Sequence, residues 1–254
     1  MPNPAISEAA SGFAFAWATT PARLAIAAGS TLIFAALAHA VRGVSRRGAL
    51  AGGVACLILF AALGPAGFAV LTALFVLTWL ATRIGHRDKL ERGLAERREG
   101  RNAWQVLANL SVAAIAAGVF AIAGHRVWMI AAIGAMVEAA TDTVASEIGQ
   151  GRRLAILITT WKAVPAGTDG GVTLAGTTAG ALAGMLQTAI AGLTGLIPAR
   201  ELWIPALAGF LGMLADSLLG ATWQRQGWIS NQGVNLVSTL AAACLAAAVL
   251  HAAD

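Results

Sequence analysis

The sequence predicts an all-α protein, a polytopic transmembrane helical bundle of about eight spans with the N-terminus outside. Three observations predict it. Hydrophobic residues make up 58% of the 254 and charged residues 11%, with a mean hydropathy of +0.74, whereas a soluble domain carries about 25% charged residues. Nearly uncharged runs long enough to cross a bilayer recur along the chain. Glycine is abundant at 29 residues and tyrosine is absent, and small residues let helices approach closely in lipid.

The elements follow in order. Residues 5–18 read as a short apolar helix at the membrane interface, and no removable signal peptide is expected before it. Spans are expected at about 23–41, 48–63, 66–82, 104–123, 127–146, 172–193, 203–221 and 234–251. Gly64-Pro65-Ala66-Gly67 reads as a tight turn between the second and third. Residues 1–254 thus form a single integral membrane domain, with a charged cytoplasmic loop at 83–103 and a glycine-rich cytoplasmic loop at 147–171.

The positive-inside rule supports this arrangement. With the N-terminus outside, all but Arg23, Arg126 and Arg200 of the 17 basic residues fall on inner loops. The same distribution accounts for the pI near 10.5 without a nucleic-acid partner. The charged loop, from His86-Arg-Asp-Lys-Leu-Glu-Arg92 to Glu96-Arg-Arg-Glu-Gly-Arg101, reads either as a solvated helix on anionic lipid heads or as a lid over an anionic substrate. Cys56 and Cys244 sit in apolar segments and read as core thiols. The four histidines are scattered, which disfavours zinc or Ser/His chemistry.

Ionisable groups inside spans are costly, roughly 2.5–3.5 kcal/mol each on insertion scales, and so mark functional candidates. Glu138 and Asp142 lie four apart on one face of the fifth span, Ser146 continues that face, and Glu147 follows near its inner end. Two carboxylates at that spacing suit a hard divalent ion such as Mg²⁺, or a hydrogen-bonded packing pair. Asn102, Gln105 and Asn109 share a face of the fourth span, as substrate contacts or as interhelical hydrogen bonds. Asp216 is the acid of the seventh span, and Asn231 and Asn235 open the eighth. In this topology every cluster lies at the cytoplasmic end of its span, so one site facing the cytoplasm is expected.

The segment Val164-Pro-Ala-Gly-Thr-Asp-Gly-Gly-Val172 precedes the sixth span. The N–H groups of Gly167, Thr168, Gly170 and Gly171, beside Asp169 and Thr173 and backed by a helix N-terminus, are suited to holding phosphate. No Walker A pattern is present. Lys162 and Arg101 would neutralise phosphate charge, and Glu138, Asp142 and Asp216 would hold Mg²⁺. Phosphoryl transfer needs little beyond positioning and charge neutralisation.

Four motifs carry a resemblance. They are Arg101-Asn-Ala-Trp-Gln-Val-Leu-Ala-Asn109, Ala140-Thr-Asp-Thr-Val-Ala-Ser-Glu-Ile-Gly149, Val164–Val172 with Gly176-Thr-Thr-Ala-Gly180, and Asp216-Ser-Leu-Leu-Gly-Ala221. In this order they resemble the family of polytopic membrane proteins that includes the chloroplast phytyl-phosphate kinase of vitamin E synthesis, over about residues 45–250. The family looks distantly like dolichol and phytol kinases and phosphatidate cytidylyltransferases. The resemblance implies CTP or ATP as phosphoryl donor, an isoprenoid (phytyl or polyprenyl) monophosphate as acceptor and a diphosphate product. The motif residues it carries over are Arg101, Asn102, Gln105, Asn109, Asp142, Ser146, Glu147, Gly167, Thr168, Gly170, Gly171 and Asp216. The sequence therefore leads to a Mg²⁺-dependent prenyl-phosphate kinase in a bacterial inner membrane, its catalytic set being Asp142, Asp216, Glu147, Lys162 and Arg101. Cytidylyltransferase-like nucleotide transfer to a lipid phosphate and transport of an anionic lipid are the alternatives.

Overall fold

The structure, a computed structural model, describes residues 16–96 and 98–253. Among them seven helices are long and apolar enough to cross a membrane. In chain order the helices are α1 (Pro21–Ala40), α2 (Arg46–Arg83), the short α3 (His86–Glu91), α4 (Ala103–Ala123), α5 (Arg126–Gln150), α6 (Leu174–Leu193), α7 (Trp203–Leu219) and α8 (Asn231–Ala253). The helical bundle is the predicted one.

Helix α2 accounts for the difference between seven helices and eight apolar segments. A straight helix of its 38 residues would be ~57 Å long, nearly twice the hydrocarbon core of a bilayer. Gly64 breaks it with φ 67 and ψ −161, immediately before Pro65. The Phe60 and Phe68 rings stack 4.8 Å apart across the break. Gly48 and Gly52 of the first arm share a cavity with Leu74 and Thr78 of the second, so the arms run side by side. Pro65 has no N–H to give the Ala61 carbonyl, and the Ala18 N–H donates to it instead at 2.9 Å. Most of the interfacial helix expected at 5–18 lies outside the described residues. Residues 16–18 are not helical, and the Trp17 and Ala18 N–H groups donate to the Ala62 and Ala61 carbonyls of this turn.

Local chemistry sets the helix ends. Thr20, Ser45 and Thr173 cap α1, α2 and α6, each side-chain oxygen accepting from the N–H three residues on. Asn102 and Gln105 form a reciprocal capping box at the start of α4, which Gly124 ends at φ 69. On α1, Leu24, Ile26, Leu32, Ile33 and Leu37 are exposed, the pattern of a face turned to lipid.

Helix α5 is the centre. Every residue from Ile130 to Val144 is buried, and α2, α4, α6, α7 and α8 all pack on it. Glycines make the approach possible. A Cβ on Gly176 or Gly180 of α6 would lie 2.5 Å from the Ala145 carbonyl oxygen or 2.6 Å from that of Thr141. One on Gly212 of α7 would lie 2.5 Å from the Glu138 side chain.

The segment between α5 and α6, expected to be a loop, contains a small antiparallel sheet. Its strands are β1 (Leu154–Leu157), β2 (Ala163–Pro165) and β3 (Gly171–Val172), in the order β2-β1-β3. Ala155 pairs with Val164, and Ile156 pairs with both Ala163 and Val172. Alternating exposure along β1 explains the strand, since Ala155 and Leu157 are buried beneath Leu154 and Ile156.

Gly64→Ala places a Cβ in left-handed backbone and 2.6 Å from the Trp17 ring. It is expected to destabilise the purified protein by about 1–3 kcal/mol, seen as a lowered thermal midpoint. Gly29→Ala, which meets nothing within 4 Å, serves as the control. An unchanged midpoint in Gly64→Ala would show that the hairpin does not depend on that backbone.

Candidate functional site

A cavity of about 120 Å³ opens where the C-terminal half of α5, the N-terminus of α6, the end of α7 and the start of α8 meet the β-sheet segment. Asp142, Ser146, Gly167, Thr168, Asp169, Gly170, Gly171, Thr173, Asp216 and Asn231 all line it. These ten candidates are thus gathered into one polar site. Gln150, Thr177, Ser217 and Gln224 complete the walls. Gln150 carried no sequence signal, being an ordinary polar residue near a span end, whereas Thr177 lies within the Gly176–Gly180 motif.

The elements that aim these groups follow from local structure. Asp142 projects from α5 and Asp216 from α7. The latter accepts a hydrogen bond from the Ser238 hydroxyl of α8 at 3.2 Å. Beyond α7 the helix widens into a π-turn at Gly220–Gln224, a feature often found at functional sites. Gly170, at φ 75, packs its backbone directly against Ala221 of that turn, leaving no room for a Cβ. The same loop adopts left-handed backbone at Gly167, φ 91. Two of the expected phosphate-binding amides are engaged within the loop: Thr168 N–H donates to the Pro165 carbonyl at 3.2 Å and Gly171 N–H to that of Thr168 at 2.8 Å. The N-terminus of α6 reaches the cavity here through Thr173, Gly176 and Thr177, with the Gly176 N–H donating to the Thr173 hydroxyl at 3.0 Å.

The electrostatics are those of an acidic cluster. Asp142 and Asp216 act on each other and on Glu138, which lies one turn deeper. Glu138 is 1% exposed, and its Oε1 has no hydrogen-bond partner among the described residues. Asp169 faces Asp216 from the loop. Partial burial pushes the Asp169 carboxyl up, and the Arg225 guanidinium pulls it the other way. The Arg101 guanidinium acts on Asp142 from the α4 side.

Several candidates lie elsewhere. The three-carboxylate metal set of Glu138, Asp142 and Asp216 is not assembled: among the described residues no three His, Cys, Asp or Glu form a group that would hold an ion unaided. Glu138 is sealed below the cavity floor by its packing against Gly212. Glu147 is not in the cavity. Its carboxylate pairs with the Lys89 ammonium at 2.5 Å, with side-chain exposures of 12% and 0%, and accepts from the Thr82 hydroxyl at 3.1 Å. Lys89 was missed because its charged neighbours suggested a solvated loop, yet it ties that segment to α5. Lys162 is exposed on the turn between β1 and β2, outside the cavity walls. Asn102 is occupied as the cap of α4, its Oδ1 accepting from Gln105 N–H at 3.1 Å. Asn235 donates to Asn109 Oδ1 at 3.2 Å, joining α8 to α4. Arg101, Gln105 and Asn109 line a second cavity, between α1, α2 and α4.

Comparison with known proteins places the chain in a family. Residues 29–243 match the integral membrane protein family DUF92. The chain belongs to it. It is 34% identical over 198 residues to the uncharacterized membrane protein sll0875 of Synechocystis sp., covering 74% of this chain and 76% of the relative. It is 31% identical over 208 residues to the chloroplastic protein VTE6 of Arabidopsis thaliana, covering 78% of this chain and 62% of that relative. With the uncharacterized membrane protein MJ0933 of Methanocaldococcus jannaschii it shares 33% over 218 residues, 83% of this chain and 89% of the relative. No solved structure matches it. The family matches are those of an integral, multi-pass membrane protein, in accord with the resemblance carried by the motifs.

Removing one partner of the buried Lys89–Glu147 pair leaves a charge uncompensated, at a cost of roughly 3–5 kcal/mol. Lys89→Met and Glu147→Gln are therefore each expected to lower the thermal midpoint strongly, and the double variant to recover much of the loss. Additive losses in the double-mutant cycle would show that the two groups do not act as a pair.

Proposed function

We propose that this protein is a phosphotransferase that passes the γ-phosphoryl group of CTP or ATP to an isoprenoid monophosphate in the membrane, giving the diphosphate. One observation carries the reading: Asp142 and Asp216, the helix N-terminus of α6 and the glycine-rich loop converge on one polar cavity within the bundle. A helix N-terminus favours phosphate, whereas two facing carboxylates repel it unless a cation intervenes. The chemistry of the donor set fits Mg²⁺, which binds through one or two carboxylates and keeps water and phosphate oxygens as its other ligands. Asp142 and Asp216 would hold it, and the orphaned Glu138 Oε1 beneath them marks a place where positive charge or a proton is wanted. When bound, the ion supplies neutralisation of the negative charge on the transferring phosphoryl group.

The protein's own groups supply position. The backbone at the start of α6 and at Gly167 and Gly170 receives the nucleotide phosphates, with Ser146, Thr173 and Asn231 along the wall. An oxygen of the acceptor phosphate attacks the γ-phosphorus while its bond to the β–γ bridging oxygen breaks, and the nucleoside diphosphate leaves. The acceptor is already an anion, so no strong general base is needed, in keeping with the engagement of Glu147 by Lys89. Arg101, acting on Asp142 from beside the second cavity, lies where it would hold the acceptor phosphate. The distribution of Lys and Arg supports an outside N-terminus and a site facing the cytoplasm.

Asp142→Asn and Asp216→Asn are each expected to lower transfer by ~100-fold or more in protein that still inserts and melts cooperatively. Nucleotide labelled at the α or γ position reports the reaction, and a kinase moves only the γ label to lipid. Wild-type turnover in either variant would remove the metal assignment. Transfer of the α label would replace the kinase by a nucleotidyltransferase.

A further inference from the structure

The second cavity, of about 250 Å³, lies between α1, the two arms of α2, and α4. Its composition differs from that of the polar site. Deep in the bundle its walls are aromatic and aliphatic, among them Phe34, Leu71, Leu74 and Phe75, and four arginines, Arg42, Arg83, Arg98 and Arg101, line it at the end nearest the charged segment beside one acid, Glu96, which accepts from Gln105 Nε2 at 3.1 Å. A packed interior leaves few voids larger than water, so an open volume of this size beside four cations is a built feature rather than a packing defect.

The arginine end shows two further signs of a binding role. Arg42 is held in left-handed backbone at φ 55, one of two such residues other than glycine among those described. Such strain persists where surrounding structure imposes it, and it clusters at ligand clamps. Here the backbone of Arg42 and Gly43 is wedged against Gly100, where a Cβ would lie 2.6 Å from the Arg42 carbonyl oxygen. The Nδ1 of His86, at the same end, is buried with no hydrogen-bond partner among the described residues. An apolar slot with cations and an orphaned imidazole nitrogen at one end is complementary to a molecule with a hydrocarbon chain and an anionic head.

The two cavities are also neighbours. Asn109 lines the apolar cavity and accepts from Asn235 Nδ2 at 3.2 Å. The Ser238 hydroxyl, 3.1 Å from the Asn235 carbonyl oxygen, also donates to Asp216 in the polar site at 3.2 Å. A thin hydrogen-bonded wall of α4 and α8 residues therefore separates the two sites, and Arg101 of the one acts on Asp142 of the other.

We infer that this cavity binds the lipid substrate as a single-chain lipid phosphate monoester, with the start of the chain among Phe34, Leu71, Leu74 and Phe75 and the phosphate at Arg42, Arg83, Arg98 and Arg101. The inference rests on the phosphotransferase reading for what happens next, but the binding itself does not. Two substrates thus approach from separate cavities, the nucleotide in the acidic one and the lipid in the basic one. This arrangement keeps two polyanions apart until they meet at the wall between them. At ~250 Å³ the cavity is small for a ligand site, so it holds the head and the first part of the chain.

The test is direct binding to the full chain in nanodiscs, with farnesyl monophosphate as probe. Gly52 lines the cavity, and a Cβ there meets only Val106 at 3.5 Å. Gly52→Leu thus fills the slot without a backbone clash. It is expected to weaken farnesyl monophosphate binding at least ~10-fold while leaving nucleotide binding unchanged. Arg98→Gln, at an exposed position, is expected to weaken the monophosphate several-fold and to leave farnesol unaffected. Undiminished monophosphate binding in both variants, or no binding by the wild type, overturns the inference. Competition by inorganic phosphate as effective as that by the lipid would overturn the apolar half of it. Wild-type binding with no transfer of label from any nucleotide leaves the lipid site standing and removes the kinase reading instead.

Discussion

Two carboxylates carried into the centre of a membrane bundle set the terms for everything around them. Glu138 and Asp142 sit on α5, the helix that five others pack against, in a stretch where every residue is buried. Acids at that depth are costly unless neighbours or a ligand satisfy them. The surrounding helices respond in two ways. Glycines of α6 and α7 bring backbone close to the acidic face, and Ser238 of α8 lies between the Glu138 and Asp216 carboxyls. What remains is a cavity lined by Asp142 and Asp216 with the N-terminus of α6 at its rim.

The charged segment between α2 and α4 takes part in the same design. Lys89 reaches under α5 to Glu147, and the Arg92 guanidinium donates to the backbone carbonyls of Gln150 and Arg152 at the end of α5. These contacts clamp the segment over the helix ends that build both cavities. Part of the segment is a structural strap, and Arg98 and Arg101 within and beside it line the apolar cavity.

Much of the site was legible because membrane depth makes polarity informative. Asp142, Ser146, Asp216, Asn231 and the glycine-rich loop stood out against apolar spans, and topology alone assigned them to one end of the bundle. The failures have equally specific causes. Asn102-x-x-Gln105 has the spacing of a capping box, a local signal that outweighs a ligand role for Asn102. Lys162 is two residues from the loop motif in sequence, but the β1–β2 hairpin carries it away from the cavity.

The sequence by itself determined the family, the helical bundle, the bend at Gly64-Pro65 and the set of polar residues at one end of it. Those depend on composition, periodicity and backbone preferences that each segment carries alone. Only the tertiary structure decided which polar residues share a cavity and which satisfy one another. Pairs such as Lys89–Glu147 and Asn109–Asn235 are far apart in sequence, at 58 and 126 positions. Nothing local distinguishes a carboxylate that will be paired from one that will face a cavity. That is settled by which helix faces meet, and here they divide one polar cluster into an acidic site, a basic apolar site and the wall between them.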